Sequence, residues 1–311
     1  MGKIILFYKY IDIIYPEQIR KWQEKIGKEL NLKGRVIIAH EGINATLGGT
    51  DEAIEIYKQL MNEHPLLANI DFKESEGSAD YFPRLRTVVK NEITHLGLDT
   101  KKITAKDGGT HLKPEQVHEL ITAAPDNLVI LDARNNYESR IGNFVNAITP
   151  NIDNFRDLPA YIDANQELFK EKEVLMYCTG GIRCERASSY LKSKNITANV
   201  YQLEGGIHRY AEQFPDGYFK GKNYVFDGRI AVKVTDDILT TCDLCNISYD
   251  DYTNCLNAEC NKQFISCPPC LQQFENTCNS TCLELVRQKK VVIRTIPKKM
   301  CASKTCTNIY E

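Results

Sequence analysis

Nowhere does this chain reach the run of about 18 apolar residues that a membrane-spanning helix needs, because Lys3 and Lys9 interrupt its apolar N-terminal stretch, GKIILFYKY. A myristoylation signal is missing too, since position 6 is Leu where Ser or Thr is required. Net charge is close to nil, at a formal -2, so there is no global attraction to nucleic acid and any such binding needs a local basic patch. Cysteine is absent from the first 177 residues, and no flavin, haem or non-haem iron motif is visible anywhere. The expectation from these absences is a cytoplasmic protein that does not use a membrane. Its 311 residues suffice for two or three domains.

What is present divides the chain into parts. Over residues 1–95, KIILFYKYI reads as a strand and YPEQIRKWQEKIGKEL as a helix with Ile19, Trp22, Ile26 and Leu30 on one face. GRVIIAHEGINATLGG reads as a second strand entering a Gly-rich turn, and DEAIEIYKQLMNEHP as a second helix ended by Pro65. IDFKESEG and RTVVKNEITHL read as further strands. A βαββαβ order predicts a small ferredoxin-like α+β sandwich, a fold that often offers a sheet face to RNA. The EGIN turn could hold nucleic-acid backbone through Gly42 and Asn44, or Asn44 could simply occupy a left-handed turn position.

Residues 96–124 hold Gly97, Gly108, Gly109 and Pro114 and read as a linker followed by a helix. From 125 to 217 helices and strands alternate. LVILD and VLMY are near-continuous apolar runs, as expected of parallel strands covered on both faces, so this part is an α/β domain. Residues 218–311 form a Cys-rich segment with a basic tail.

Cys178 ends one of those buried strands, in MYCTGGIRCERASSYL. Ligands of parallel sheets bind at this carboxyl end. The following loop, Thr179, Gly180, Gly181, Ile182, Arg183 and Cys184, has two glycines that let successive backbone N–H groups converge on one point beside a helix N-terminus. The anion held there would be the Cys178 thiolate or a species built on it, with its pKa lowered and Arg183 as a nearby cation. A buried thiol of no consequence is the plain alternative. Cys184 could be a resolving thiol or a residue packed beneath the loop.

The loop, together with LDARNNYE upstream and LEGGIHRY downstream, resembles a rhodanese domain over about residues 125–217. That resemblance implies a persulfide-carrying role for Cys178. In related phosphatases the loop is longer and Arg follows the Cys by six positions; here Cys184 stands at that position, which argues against phosphatase chemistry. HEGINATLGG, RNNYES, CTGGIRCERAS and the late cysteine array, in this order, resemble the bacterial tRNA uridine hydroxylases that carry a rhodanese domain. This wider resemblance implies an oxidoreductase that hydroxylates the wobble uridine of tRNA at C5, with molecular oxygen as co-substrate and Cys178 as catalytic residue. It also implies that Asp132, Arg134 and Glu138 support the pocket. Read plainly, Asp132 and Arg134 form a buried salt bridge and helix cap. Asn135, Tyr137 and Glu138 either line the site or build its turn, and His208 either faces the cleft or sits on the surface. A sulfurtransferase forming a persulfide on Cys178 is the second functional reading, and a binding adaptor the third.

Ten of the twelve cysteines lie between 242 and 306. Cys242-x2-Cys245, Cys255-x4-Cys260, Cys267-x2-Cys270 and Cys278-x3-Cys282 supply eight thiols, enough for two tetrahedral zinc sites, with pairs one and three closing one site and pairs two and four the other. Disulfides are the alternative use of the same residues. Cys301 and Cys306 are left over. From 283 to the end, seven Lys or Arg face two Glu, so the tail could bind phosphate or be a solvated basic surface.

Overall fold

The computed structural model describes residues 2–294. The tail residues Lys298, Lys299 and Lys304, together with Cys301 and Cys306, lie outside the described residues. The first part contains β1 (Gly2–Tyr10), α1 (Pro16–Glu29), β2 (Lys33–Ala39), β3 (Gly42–Thr50), α2 (Asp51–Glu63), β4 (Lys73–Glu76) and β5 (Leu85–Val89). Its sheet runs β4-β1-β3-β2-β5, which is the ferredoxin-like order with one strand added, β5, parallel to β2. Both helices cover one face, where Ile5, Phe7, Val36, Ile38, Ile43 and Leu47 pack against Ile19, Ile26, Ile54 and Tyr57.

The stretch expected to be one strand entering a Gly-rich turn is instead a hairpin. Lys33–Ala39 pairs antiparallel with Gly42–Thr50, and the turn is only His40 and Glu41. Asn44 is therefore a strand residue opposite Tyr8 and Ile37, not a left-handed turn residue, and its Nδ2 donates to the Ile93 carbonyl at 2.9 Å. Gly42, with φ +148°, is required where its Cα faces the Lys9 carbonyl, 2.1 Å from where a Cβ would stand.

The second part contains β6 (Thr110–Leu112), α3 (Pro114–Ala123), β7 (Leu128–Asp132), α4 (Asn136–Ser139), β8 (Gly142–Phe144), α5 (Leu158–Ala164), β9 (Glu173–Tyr177), α6 (Ile182–Ser193), β10 (Asn199–Leu203) and α7 (Gly206–Gln213). Its sheet, β6-β10-β9-β7, is parallel throughout. The supposed linker thus already supplies an edge strand, and the α/β domain starts before residue 125. A three-residue strand without periodicity leaves no trace in the sequence pattern. Val174 and Met176 of β9 face one cluster while Leu175 and Tyr177 face another, which explains its unbroken apolar run.

The last part returns onto this domain. β11 (Phe219–Tyr224) pairs antiparallel with β8 and with β12 (Ala231–Lys233). β13 (Tyr252–Asn254), β14 (Gln263–Ile265), α8 (Pro268–Gln273) and α9 (Ser280–Arg287) follow. Among the described residues no helix is long and apolar enough to cross a membrane.

Candidate active site and cysteine clusters

Cys178 follows β9 and is fully buried, with its loop closing onto the first turn of α6. The Gly181 N–H donates to Cys178 Sγ at 3.1 Å. Gly181 has φ +101°, a backbone shape that an L side chain rarely adopts, so the sharp inward turn of the N–H depends on glycine there. A second close approach lies at Gly206, at the start of α7: a Cβ there would be 2.5 Å from the Cys178 carbonyl and 2.7 Å from the Gly181 nitrogen. The N–H groups of Ile207 and His208 donate to the carbonyls of Cys178 and Thr179 and so tie α7 to the loop.

Burial alone would push the Cys178 thiol up. The Cys184 S–H donor, the Arg183 charge and the backbone N–H groups of Arg183 and Gly180 outweigh it and bring the thiol down to about 5. Cys184 moves the opposite way: burial, its donation to Cys178 and the charge of that sulfur push it well above its ordinary range.

Arg183 is held by Glu138, with Nη1 donating at 2.5 Å and Nη2 at 2.7 Å, both side chains being buried. Thr179 Oγ1 donates to the same carboxylate at 3.2 Å. Burial opposes ionisation of Glu138, but Arg183 holds the carboxyl below its usual range. Glu138 also accepts the Asn135 N–H and so caps its own short helix. Asp132 and Arg134 form a separate brace. They are joined by three side-chain bonds, at 2.9, 3.1 and 2.6 Å, and Tyr177 Oη donates to Asp132 at 2.7 Å. Arg134 also donates to the Gly142 carbonyl at 2.6 Å, so this pair ties β7 to β9 and β8 rather than touching the loop. Asn135 Nδ2 donates to Tyr137 Oη, whose ring packs on Tyr224; both residues build the turn.

The far side of the loop is covered by residues that the sequence reading did not single out. Leu6, Tyr8 and Tyr10 alternate along β1 on the face away from the helices. A Cβ on Gly180 would stand 2.9 Å from Leu6, and one on Gly181 would stand 2.7 Å from Tyr8 Oη. Tyr8 Oη donates to Glu185 at 2.9 Å and Tyr10 Oη to the Ile182 carbonyl at 3.3 Å. The missed signal was in IILFY, residues 4–8, where both alternating sets are apolar or aromatic, as in a strand covered on both faces. Beside the loop is a small cavity lined by Leu6, Thr46, Lys73, Thr179, His208 and Phe226, among others. His208 therefore does face the cleft. Lys73 is buried, its Nζ donating to Asp71 at 2.8 Å and lying 5.3 Å from the Tyr8 ring centre. Phe226 is 55% exposed, with its ring 5.8 Å from the Arg183 guanidinium.

The eight later thiols converge as two sets, Cys242, Cys245, Cys267 and Cys270, and Cys255, Cys260, Cys278 and Cys282, each with its sulfurs within 4.8 Å of one another. This is the alternation of pairs expected from the spacing. All are free thiols, which sets aside the disulfide alternative. Separations of 3.6, 3.7 and 3.9 Å fit a tetrahedral metal–thiolate site, whose edge is about 3.8 Å for bonds of about 2.3 Å. Burial would push Cys242 up, yet the N–H groups of Cys267, Leu244 and Cys245 lower it to about 6, suited to a metal-binding thiolate.

Three family models match consecutive parts of the chain: a UPF0176 acylphosphatase like domain over 2–93, a Rhodanese-like domain over 113–213 and a Rhodanase C-terminal segment over 220–283. Among similar proteins, one from Corynebacterium jeikeium named tRNA uridine(34) hydroxylase is 38% identical over 296 residues, spanning 92% of this chain and 96% of that protein. One of the same name from Corynebacterium kroppenstedtii is 41% identical, spanning 87% of this chain and 94% of its own. Another from Pseudarthrobacter chlorophenolicus is 38% identical over the same shares.

Proposed function

The chain belongs to the tRNA uridine(34) hydroxylase family, and on that premise we propose that it converts the wobble uridine of tRNA to 5-hydroxyuridine in the cytoplasm, with Cys178 as nucleophile. The observation that carries this reading is the buried Cys178 sulfur at a strand end, which accepts the Gly181 N–H at 3.1 Å, with the Arg183 charge favouring its ionised form. Such a sulfur adds to the electron-poor C6 of uracil, moving the electron pair of the C5–C6 bond onto the enolate that spans C5 and O4. C5 then bonds oxygen. Loss of the C5 proton expels the sulfur from C6, restores the ring double bond and regenerates the thiolate. With dioxygen as co-substrate, the second oxygen atom leaves as water and consumes two electrons and two protons from an external reductant.

Arg183, fixed by Glu138, keeps the sulfur ionised, and Asp132 with Arg134 holds the strand ends that aim the loop. The two four-thiol clusters suit zinc, which would fold the C-terminal part and take no part in the chemistry. Plain sulfur transfer fits less well, because relatives matching nearly the whole chain are named for hydroxylation.

The test is nucleoside mass spectrometry of hypomodified tRNA incubated with wild-type and Cys178→Ser protein under labelled oxygen gas. The expected result is labelled 5-hydroxyuridine with wild type and none with the variant. Equal product from Cys178→Ser removes the nucleophile role, and unmodified tRNA with wild type removes the function.

A further inference from the structure

The outward face of the N-terminal sheet is only partly covered by the α/β domain. Cross-strand pairing places Leu6, Thr46, Arg35 and Arg86 in one row, on β1, β3, β2 and β5 in turn. Leu6 and Thr46 line the cavity beside the Cys178 loop, so the row begins at the candidate active site and ends at the sheet edge. The neighbouring rows are covered. On one side the 78–82 segment lies over Gly48, where a Cβ would stand 2.9 Å from the Ser78 carbonyl and 3.1 Å from the Phe82 ring. On the other side Asn44 is bonded to the Ile93 carbonyl. Gly48 and Asn44 are four residues apart on one strand, so these walls stand about 13 Å from each other at roughly 3.3 Å per residue. Between these two covered positions the row lies open toward the sheet edge, where Arg35 and Arg86 are exposed.

The floor between the walls is positive and unneutralised. Arg35 and Arg86 face each other across adjacent strands, and both are exposed. Neither has a carboxylate partner among the described residues, although most arginines of this chain do, as with Arg20, Arg134, Arg183 and Arg186. Partial desolvation and the facing Arg86 charge push the Arg35 guanidinium below its ordinary value. Like charges directly opposite each other in a sheet are destabilising, and a bridging anion reverses that cost. We infer that this groove is the track along which the single-stranded anticodon loop reaches the Cys178 cavity, with Arg35 and Arg86 binding its phosphates. The inference rests on tRNA being the substrate. Phosphate contacts position a nucleic acid without reading its bases, so these residues serve affinity and register rather than uridine selection.

The test compares wild type, Arg35→Ala, Arg86→Ala, the double variant and Lys25→Ala, a control on the exposed helical side. Each is titrated with an anticodon stem-loop over a range of salt, and kcat and KM are measured with whole tRNA. Expected for each groove variant is a loss of affinity of about tenfold or more, as for a lost hydrogen bond to a charged group. The salt slope should fall by about 0.7 per arginine removed, with kcat at saturating tRNA unchanged. Wild-type affinity and slope in the double variant, or an equal loss in Lys25→Ala, overturns the inference. Formation of 5-hydroxyuridine by wild type is scored separately. Its absence refutes the functional reading, while the ratio of variant to wild-type binding still decides the groove.

Discussion

Replacing Cys184 with Ala removes the S–H group that donates to the Cys178 sulfur. A hydrogen bond to a charged group is worth about 1.5–3 kcal/mol. One pKa unit corresponds to about 1.36 kcal/mol, so the loss raises the Cys178 pKa by about one to two units. From about 5 in the wild type, the midpoint moves to about 6–7. The sign follows from which form the donor favours: Cys184 stabilises the ionised sulfur, so without it a higher pH is needed to reach the same thiolate fraction. Cys184→Ser keeps a donor and should leave the midpoint near that of wild type. The ultraviolet thiolate absorbance of the protein less that of a Cys178→Ser counterpart, followed across pH 4–9, measures the midpoint without a reagent having to reach the buried sulfur. Hydroxylation at saturating tRNA should follow the same curve, flat above the midpoint and falling tenfold per unit well below it. An unchanged or lowered midpoint in Cys184→Ala refutes the donor role. A normal midpoint with a trapped persulfide would return Cys184 to the role of resolving thiol.

Glu138→Gln leaves the buried Arg183 without its counter-charge, a change that costs about 3–5 kcal/mol for such pairs, seen as a lower urea midpoint. Gly181→Ala forces a side chain onto φ +101° and to within 2.7 Å of Tyr8 Oη. The backbone strain alone costs about 1–2 kcal/mol, and the Cys178 thiolate absorbance should lose its low midpoint as the Gly181 N–H turns away. Cys270→Ser should lower bound metal from two ions per chain to one, by atomic absorption, because the second cluster shares no ligand with the first. A strong chelator should remove both and abolish the helical signal of α8 and α9 while leaving the parallel sheet intact.

The parts legible from sequence were those with a short-range cause. The amphipathic period of α1, the apolar runs of β7 and β9 and the Gly-Gly turn after Cys178 each act within a few residues. Thiol spacing was enough to divide the later cysteines correctly into two sets. The hairpin at His40 and Glu41 was hidden because neither residue is a strong turn former and only His40, Glu41 and Gly42 separate the two apolar runs. β6 was hidden because its place in the sheet comes from β10, more than eighty residues away. The direction of the Cys184 S–H bond, and the cover that β1 places over the loop, are tertiary facts that no local pattern encodes.

A thiol that is ionised at neutral pH is easily oxidised to sulfenic and then sulfinic acid, the second step being effectively irreversible. In the resting protein Leu6 and Tyr8 lie against the two glycines of the loop, and the sulfur offers no surface to solvent. The cavity beside it is about 40 Å³, room for a few waters but not for a pyrimidine. The contacts made by β1 therefore shield a perishable reagent from solvent. Any substitution that loosens them gives the substrate easier access and shortens the working life of the enzyme in air.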